Sequence, residues 1–351
     1  MKKTLSFLIA LMISLSFAAP CFAAETATRT FTDSCGRAVE IPETITKVAV
    51  SGPLAQIVLF PLCADLFVGT ASDWTKEATR FIPERYLSLP QLGQLYGGKG
   101  DLNPESLLAS GAEIVIDIGE PKKSIREDMD NLTEQTGIPF VHIDAYTATM
   151  GDTYRMLGDL TGRTEKAETL AAYCDEIYAR ALDLGSKTEK VSVLYLTGIG
   201  QNVIAKGSYH AELLDMMADN LAVVESPSGK GTGNEVSPEQ LLLWDPAVLL
   251  VAPGAYEQIL GDPVITELTA VRNGFCYEVP NGPYNWMGFP PSVQRLLGVL
   301  WLGTLLYPET VDYDLFTEVH RYFALFYEHD LTEAEFAELT ARSLPVAEKA
   351  A

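Results

Sequence analysis

Apolar and polar positions along this chain fall into a rhythm that runs once, breaks, and runs again. Apolar runs at 47–50, 66–70, 113–118 and 139–143 predict strands. Periodic stretches near 53–62, 103–109 and 122–136 predict the helices between them. Continuous apolar strands alternating with helices predict a largely parallel sheet covered on both faces. Upstream, residues 29–42 alternate around a turn at 33–36 and predict a hairpin. From 151 the pattern is purely helical, breaks at Gly162, and continues with Leu170, Ala171, Cys174, Ile177, Tyr178, Ala181 and Leu182 at helical spacing. A helix of ~20 residues spans ~30 Å, enough to bridge two domains. The α/β rhythm then restarts, with strands at 191–197, 247–252 and 275–279 and helices at 211–218 and 238–243. An apolar helix at 292–306 and amphipathic ones near 312–327 and 332–342 complete the chain.

The second half echoes the first. Leu102-Asn-Pro-Glu-Ser-Leu-Leu-Ala-Ser-Gly-Ala-Glu-Ile-Val-Ile116 aligns without a gap to Val236-Ser-Pro-Glu-Gln-Leu-Leu-Leu-Trp-Asp-Pro-Ala-Val-Leu-Leu250. Asn103 and Ser237 are N-cap types, Pro104 and Pro238 suit the first helical position, and Glu105 and Glu239 follow in the first turn. The expected fold is α/β: two similar lobes, each with a largely parallel sheet flanked by helices, joined by a long rigid backbone helix. The expected boundaries are a leader at 1–23, an N-terminal lobe at 24–148, a helical connector at 149–187 and a C-terminal lobe at 188–351. Two lobes and a stiff connector predict a cleft.

Lys2 and Lys3 precede an apolar run from Leu5 to Ala19 and then small residues, the pattern of a secretory leader cleaved after Ala23. Cys21 raises the alternative of a lipid-anchored N-terminus, although Ala18-Ala19-Pro20 lacks the usual large aliphatic residue. Losing Lys2 and Lys3 takes the formal charge from −22 to −24, which argues against nucleic acid as a partner. Cys35, Cys63, Cys174 and Cys276 match no zinc spacing. Export permits a disulfide, with Cys35–Cys63 the first pair to consider and buried free thiols the alternative.

Open parallel sheets bind ligands at the carboxyl ends of their strands. The loops expected there carry Ser51, Trp74, Tyr96 and Lys99 in the first half, and Tyr209, His210, Tyr256, Tyr284 and Trp286 in the second. Arg295 lies just inside the helix that follows. Aromatics beside glycines suit a flat or mixed ligand surface, or they simply pack the loops down. These ten residues are the candidate ligand contacts. Of the other histidines, His142 sits within a strand and reads as buried and satisfied, whereas His320 and His329 read as surface residues of the C-terminal helices. The sequence holds no zinc-protease histidine pair, nucleophile elbow, Walker sequence or dinucleotide fingerprint, so neither an enzyme nor a cofactor is expected. Glu105 and Glu239 could serve only their helix dipoles, at ~0.3–1 kcal/mol each. Their recurrence in both halves suggests instead two acidic knobs on one outer face.

Asp33-x-x-Gly36-Arg37-x-Val39-x-Ile41-Pro42, Leu102-Asn-Pro-Glu105, Gly207-Ser208 with Asn220, Ser237-Pro-Glu239 and Val271-Arg-Asn-Gly-Phe-Cys-Tyr-Glu-Val-Pro280 occur in a telling order. Over about residues 29–342 they resemble the periplasmic substrate-binding proteins of ATP-driven importers for iron complexes, haem and cobalamin, the class with a helical backbone. The resemblance implies a monomeric, non-enzymatic protein, periplasmic or secreted, that closes only slightly on its cargo. It implies that Glu105 and Glu239 pair with arginines of a permease dimer. The expected cargo is an iron complex of the siderophore type. Tyr284-Asn-Trp-Met287 and the following Gly-Phe-Pro-Pro-Ser292 resemble members for iron complexes and also members for oxyanions such as molybdate or tungstate. An oxyanion would use amides at Ser51–Gly52 and Gly207–Ser208. A corrinoid or haem is a further alternative, and a secreted two-lobed α/β enzyme is the reading from another class.

Overall fold

The computed structural model describes residues 27–96 and 102–345. The leader, Cys21 and Lys99 lie outside the described residues. β1 (Thr28–Thr32) and β2 (Ala38–Pro42) form the antiparallel hairpin. Its turn is built by Asp33, whose buried carboxylate accepts from the backbone of Cys35 at 3.0 Å and Arg37 at 2.9 Å. Gly36 takes the positive φ of 71° that such a tight turn needs. The Arg37 side chain also donates to Phe140 O at 3.1 Å, clamping the hairpin to the first sheet.

That sheet is parallel, in the order β3 (Val48–Val50), β4 (Ile114–Gly119), β5 (Phe140–Asp144). The apolar run at 66–70 does not become a full strand. Phe67 bridges Val48 and Thr70 bridges Gln91, one residue each. The second sheet runs β11 (Cys276–Glu278), β10 (Val248–Val251), β6 (Ser192–Thr197), β7 (Asn202–Val203), β9 (Asn234–Glu235), with β8 (Asp219–Asn220) also on β6. Its β6–β10–β11 part is parallel, whereas β7 and β9 add an antiparallel edge.

Side chains alternate across these strands and so sort the core into three bodies. Ala49, Val115 and Phe140 pack outward with Leu107 and Met129. Leu194, Leu196, Leu249, Val251 and Cys276 do the same in the second half. The opposite faces, including Val50, Ile116, Val141, Val193, Tyr195 and Leu250, belong to one shared core. Helix Thr164–Lys187 lies in that core. It packs against helix Pro53–Cys63 of the first half and against Glu212–Met217 and Arg295–Leu306 of the second. The apolar helix predicted from 292 begins at Arg295 and is buried on all sides.

The same partition separates the cysteines. Cys35 packs with the outer cluster of the first sheet and Cys63 with the shared core, so the Cys35–Cys63 disulfide considered from sequence does not form. All four described cysteines are free. Burial pushes the thiols of Cys63 and Cys276 up to about 12.

Gly162, at φ 71°, ends helix Met150–Thr161 and turns the chain into Thr164–Lys187, so the two helices pack side by side. Gly158 is what permits the close approach: a Cβ there would lie 2.4 Å from the Ala167 Cβ. Gly158→Ala is expected to lower stability by about 1–3 kcal/mol through overpacking. The check is urea unfolding, where the midpoint should fall and the slope should hold.

Candidate functional site

Three segments of the first half, two of them at the carboxyl ends of β3 and β4, and three segments of the second half line a cavity of about 310 Å³. β3 runs out into Ser51 and Gly52, and helix Pro53–Cys63 starts at once, with Pro53 in its first turn. β4 ends at Gly119, where a side chain would meet Leu54 at 2.8 Å. From the second half come Tyr209, His210, Gly229, Pro290 and Pro291. Four of the ten sequence candidates meet here: Ser51, Tyr96, Tyr209 and His210. Asp117, Glu120 and Lys122 complete the polar wall.

His210 is a neutral imidazole. Burial first, and the Arg295 charge second, lower its pKa to about 4. Its ring stacks on Phe289 at 5.0 Å and 23°, and Nδ1 has no hydrogen-bond partner. Phe289 lines a second hollow, of about 360 Å³, with Tyr195, Thr197, Asn202 and Asn285. The stacked pair therefore forms the common wall of the two spaces. Tyr209 donates to Ala145 O at 2.7 Å, joining the second half to the end of β5. Tyr96 donates to Asp128 at 2.6 Å, which turns its hydroxyl out of the cavity.

Arg295 is 2 % exposed and stands behind this wall. It pairs with Glu212, donates to Tyr209 O, and lies 4.9 Å from the centre of the Tyr209 ring. Glu212 in turn accepts from Thr147 N at 2.9 Å. Arg295 is therefore a brace for the 209–212 turn, correcting its expected place among the ligand contacts. Gly288 makes room for it, since a Cβ there would sit 2.6 Å from Nε.

The aromatic expectations need a similar correction. Trp286 is fully buried and donates to Gly282 O at 2.9 Å, and Tyr284 is buried in the shared core. Trp74 is buried too, donating to Tyr86 O at 2.9 Å and meeting Phe60 edge-on. Each indole satisfies its one donor on a nearby carbonyl, so these residues fasten loops to the core. Tyr256 sits under Arg342 at 5.4 Å and does not line the cavity. A larger depression of about 830 Å³ is lined by Arg80, Glu338, Glu278 and Arg342. Its arginines are already paired, Arg80 with Glu338 at 2.8 Å and Arg342 with Glu257 at 2.9 Å. It is the weaker candidate for a ligand.

Asp117 is the site residue that sequence reading missed. It stands directly across from His142 in the β4–β5 register, each a lone polar residue among apolar neighbours, and that pairing was the available signal. Ser51 donates to one Asp117 oxygen. The other meets His142 Nδ1 at 2.6 Å, and His142 Nε2 meets Asp144 at 3.0 Å. Aspartate thus separates the serine from the histidine, so the imidazole does not touch the hydroxyl and the cluster lacks the serine–histidine contact of a nucleophilic triad. His320, on helix Leu315–Tyr327, and His329, in the loop after that helix and not on a helix as expected, are half-buried and bonded to Asp330 at 2.8 Å and Glu335 at 3.1 Å. Glu105 and Glu239 are both exposed, away from the cavity lining.

Residues 97–282 match the family described as periplasmic binding protein. The fold is similar to an ABC transporter solute binding protein from Sulfurospirillum deleyianum, with TM-score 0.81 and 25% identity, covering 89% of this chain and 99% of that one. It is similar to a periplasmic solute binding protein from Veillonella parvula, with TM-score 0.76 and 22% identity over 91% and 98% of the two chains. The molybdate periplasmic binding protein of Haemophilus influenzae, bound to molybdate, aligns with TM-score 0.71 and 23% identity over 87% and 99%. No curated protein sequence matches.

Both ring nitrogens of His142 face carboxylates, which only the doubly protonated ring can satisfy. Burial opposes that charge most strongly, but the Asp117 hydrogen bond and the charges of Asp117 and Asp144 outweigh it, raising the pKa above the ordinary 6.5. Because the folded value exceeds the unfolded one, this contribution to stability is complete below about pH 6.5 and is lost as pH rises through the raised value. Urea unfolding of wild type should therefore weaken across that upper window. His142→Asn should flatten that slope, and a variant that kept the wild-type slope would assign the titration elsewhere.

Proposed function

This chain belongs to the periplasmic binding protein family, and on that premise we propose that it carries an iron complex of the siderophore type to an ABC importer. The family is one of extracytoplasmic solute carriers and not of enzymes. In this reading residues 24–148 and 188–351 are the two lobes, 149–187 is the connector, and the leader is removed after Ala23. The protein works as a monomer in the periplasm or beyond it.

The carrying observation is the polarity of the cavity. Asp117 is paired with the charged His142, Glu120 lies 3.6 Å from Lys122, and His210 is neutral. A wall whose cations are already engaged suits a metal complex better than a free oxyanion, which needs charged donors left free for its own charge. Volumes of about 310 Å³ and 360 Å³ on either side of the His210–Phe289 stack fall in the range of small-ligand sites, ~300–1,000 Å³. A specific observation supports the oxyanion alternative. Helix Pro53–Cys63 opens at the cavity, and its N-cap, Gly52, has no side-chain bond. The free amides there favour negative charge. In the iron reading they receive an anionic arm of the chelator.

Native mass spectrometry of protein purified from its source identifies the cargo. A ferric chelate is expected, and molybdate, tungstate, haem or a corrinoid in its place would overturn the reading. With that chelate, His210→Ala should weaken binding about tenfold in a fluorescence titration while the melting temperature holds. For delivery, Glu105→Lys with Glu239→Lys should weaken coupling to the importer and leave cargo affinity unchanged. Loss of cargo affinity would instead place these carboxylates in the binding site.

A further inference from the structure

The two duplicated helices are alike in architecture and unlike in what they show to solvent. Helix Pro104–Ser110 is capped by Asn103, which accepts from Ser106 N at 2.9 Å. Helix Pro238–Trp244 is capped by Ser237, which accepts from Gln240 N at 3.3 Å. Leu107 and Leu241, at matching positions, are both buried. Leu108 and Leu242, one residue on, are 52% and 44% exposed. At the next position the repeat fails: Ala109 stands in the first helix and Leu243, 78% exposed, in the second. Isolated exposed leucines carry no message, but an adjacent pair beside an exposed glutamate forms a patch.

The second helix also borders a groove of about 500 Å³, lined by Val236, Leu241, Val264 and Ile265 with Glu235 and Asp262. The apolar lining with acidic groups fits an apolar side chain carried beside a basic one. Glu239 is held in its charged form by its own backbone N–H and by Ser237, whose bonds lower its pKa. The matching Glu–Leu knobs on both halves call for a partner that offers equivalent basic and apolar surfaces twice. That partner is a two-fold symmetric membrane component of the importer.

We propose that docking is asymmetric: helix Pro238–Trp244 and its groove are the primary anchor on the importer, and helix Pro104–Ser110 is the lighter second contact. The inference rests on the docking reading of Glu105 and Glu239. If the partner presents the same surface twice, what differs between the two ends is set by this chain. Leu243 and the groove add apolar area in the second half that Ala109 cannot supply. Glu105 and Glu239 then set orientation and encounter rate more than affinity.

The test measures binding of the cargo-loaded, full-length protein to its cognate importer in lipid nanodiscs, by biolayer interferometry at several salt concentrations. Leu243→Ala is expected to weaken docking about tenfold, and Leu108→Ala no more than about threefold. Both should keep the wild-type salt dependence, whereas Glu239→Gln and Glu105→Gln should reduce it. Cargo affinity and melting temperature should hold in all four, because these side chains are exposed. Equal losses from Leu243→Ala and Leu108→Ala, or an unchanged affinity for Leu243→Ala, would overturn the asymmetry while leaving the docking surface in place. If wild type itself fails to bind the importer, the docking reading falls and the asymmetry with it.

Discussion

Ala167, Leu170, Ala171, Cys174, Ile177, Ala181 and Leu184 make one buried stripe of helix Thr164–Lys187, and the inner faces of both sheets belong to the core around it. Each sheet keeps its other face for a private cluster. The halves are thus neither two beads on a string nor a single fused sheet. Relative motion must work against a close-packed interior, where even one misplaced methylene is felt. That constraint favours small adjustments at the cavity over a wide hinge.

Around the cavity the same economy recurs at smaller scale. Glu212 reaches Thr147 with one oxygen and Arg295 with the other, while Tyr209 reaches Ala145. A buried arginine is costly unless its donors are satisfied; the two terminal nitrogens of Arg295 brace the turn that presents Tyr209 and His210, while its Nε has no partner. The price of desolvation appears in His210, left neutral beside a positive charge. On the opposite wall, Asp117 and Asp144 keep His142 charged despite its burial. One cavity therefore has a neutral imidazole in its wall and a charged one behind it, set apart by their neighbours alone.

Element positions were largely legible in the sequence because strand and helix periods differ and the caps were well marked. The two duplicated helices began where Asn103 and Ser237 said they would. That the loops carrying Ser51, Tyr96, Tyr209 and His210 converge on one cavity was legible too. Which loop aromatics face a ligand was not. Trp74 and Trp286 turned inward because an indole can bury its ring and still satisfy its N–H on a backbone carbonyl, and Tyr284 lies in the shared core. A glycine-flanked aromatic looks the same in sequence whether it greets a ligand or pins a loop.

What the sequence determined by itself was local and periodic: the two α/β halves, the helical connector with its break at Gly162, and the repeated capped helix bearing Glu105 or Glu239. These depend on backbone propensities and on faces a few residues wide. Tertiary structure decided what depends on long-range neighbours. It put Asp117 against His142, set Arg295 behind Tyr209, and placed Cys35 and Cys63 on opposite faces of one sheet. Charge state and ligand access follow from those neighbours, because burial and the nearest opposite charge fix them, and neither can be read from residues adjacent in the chain.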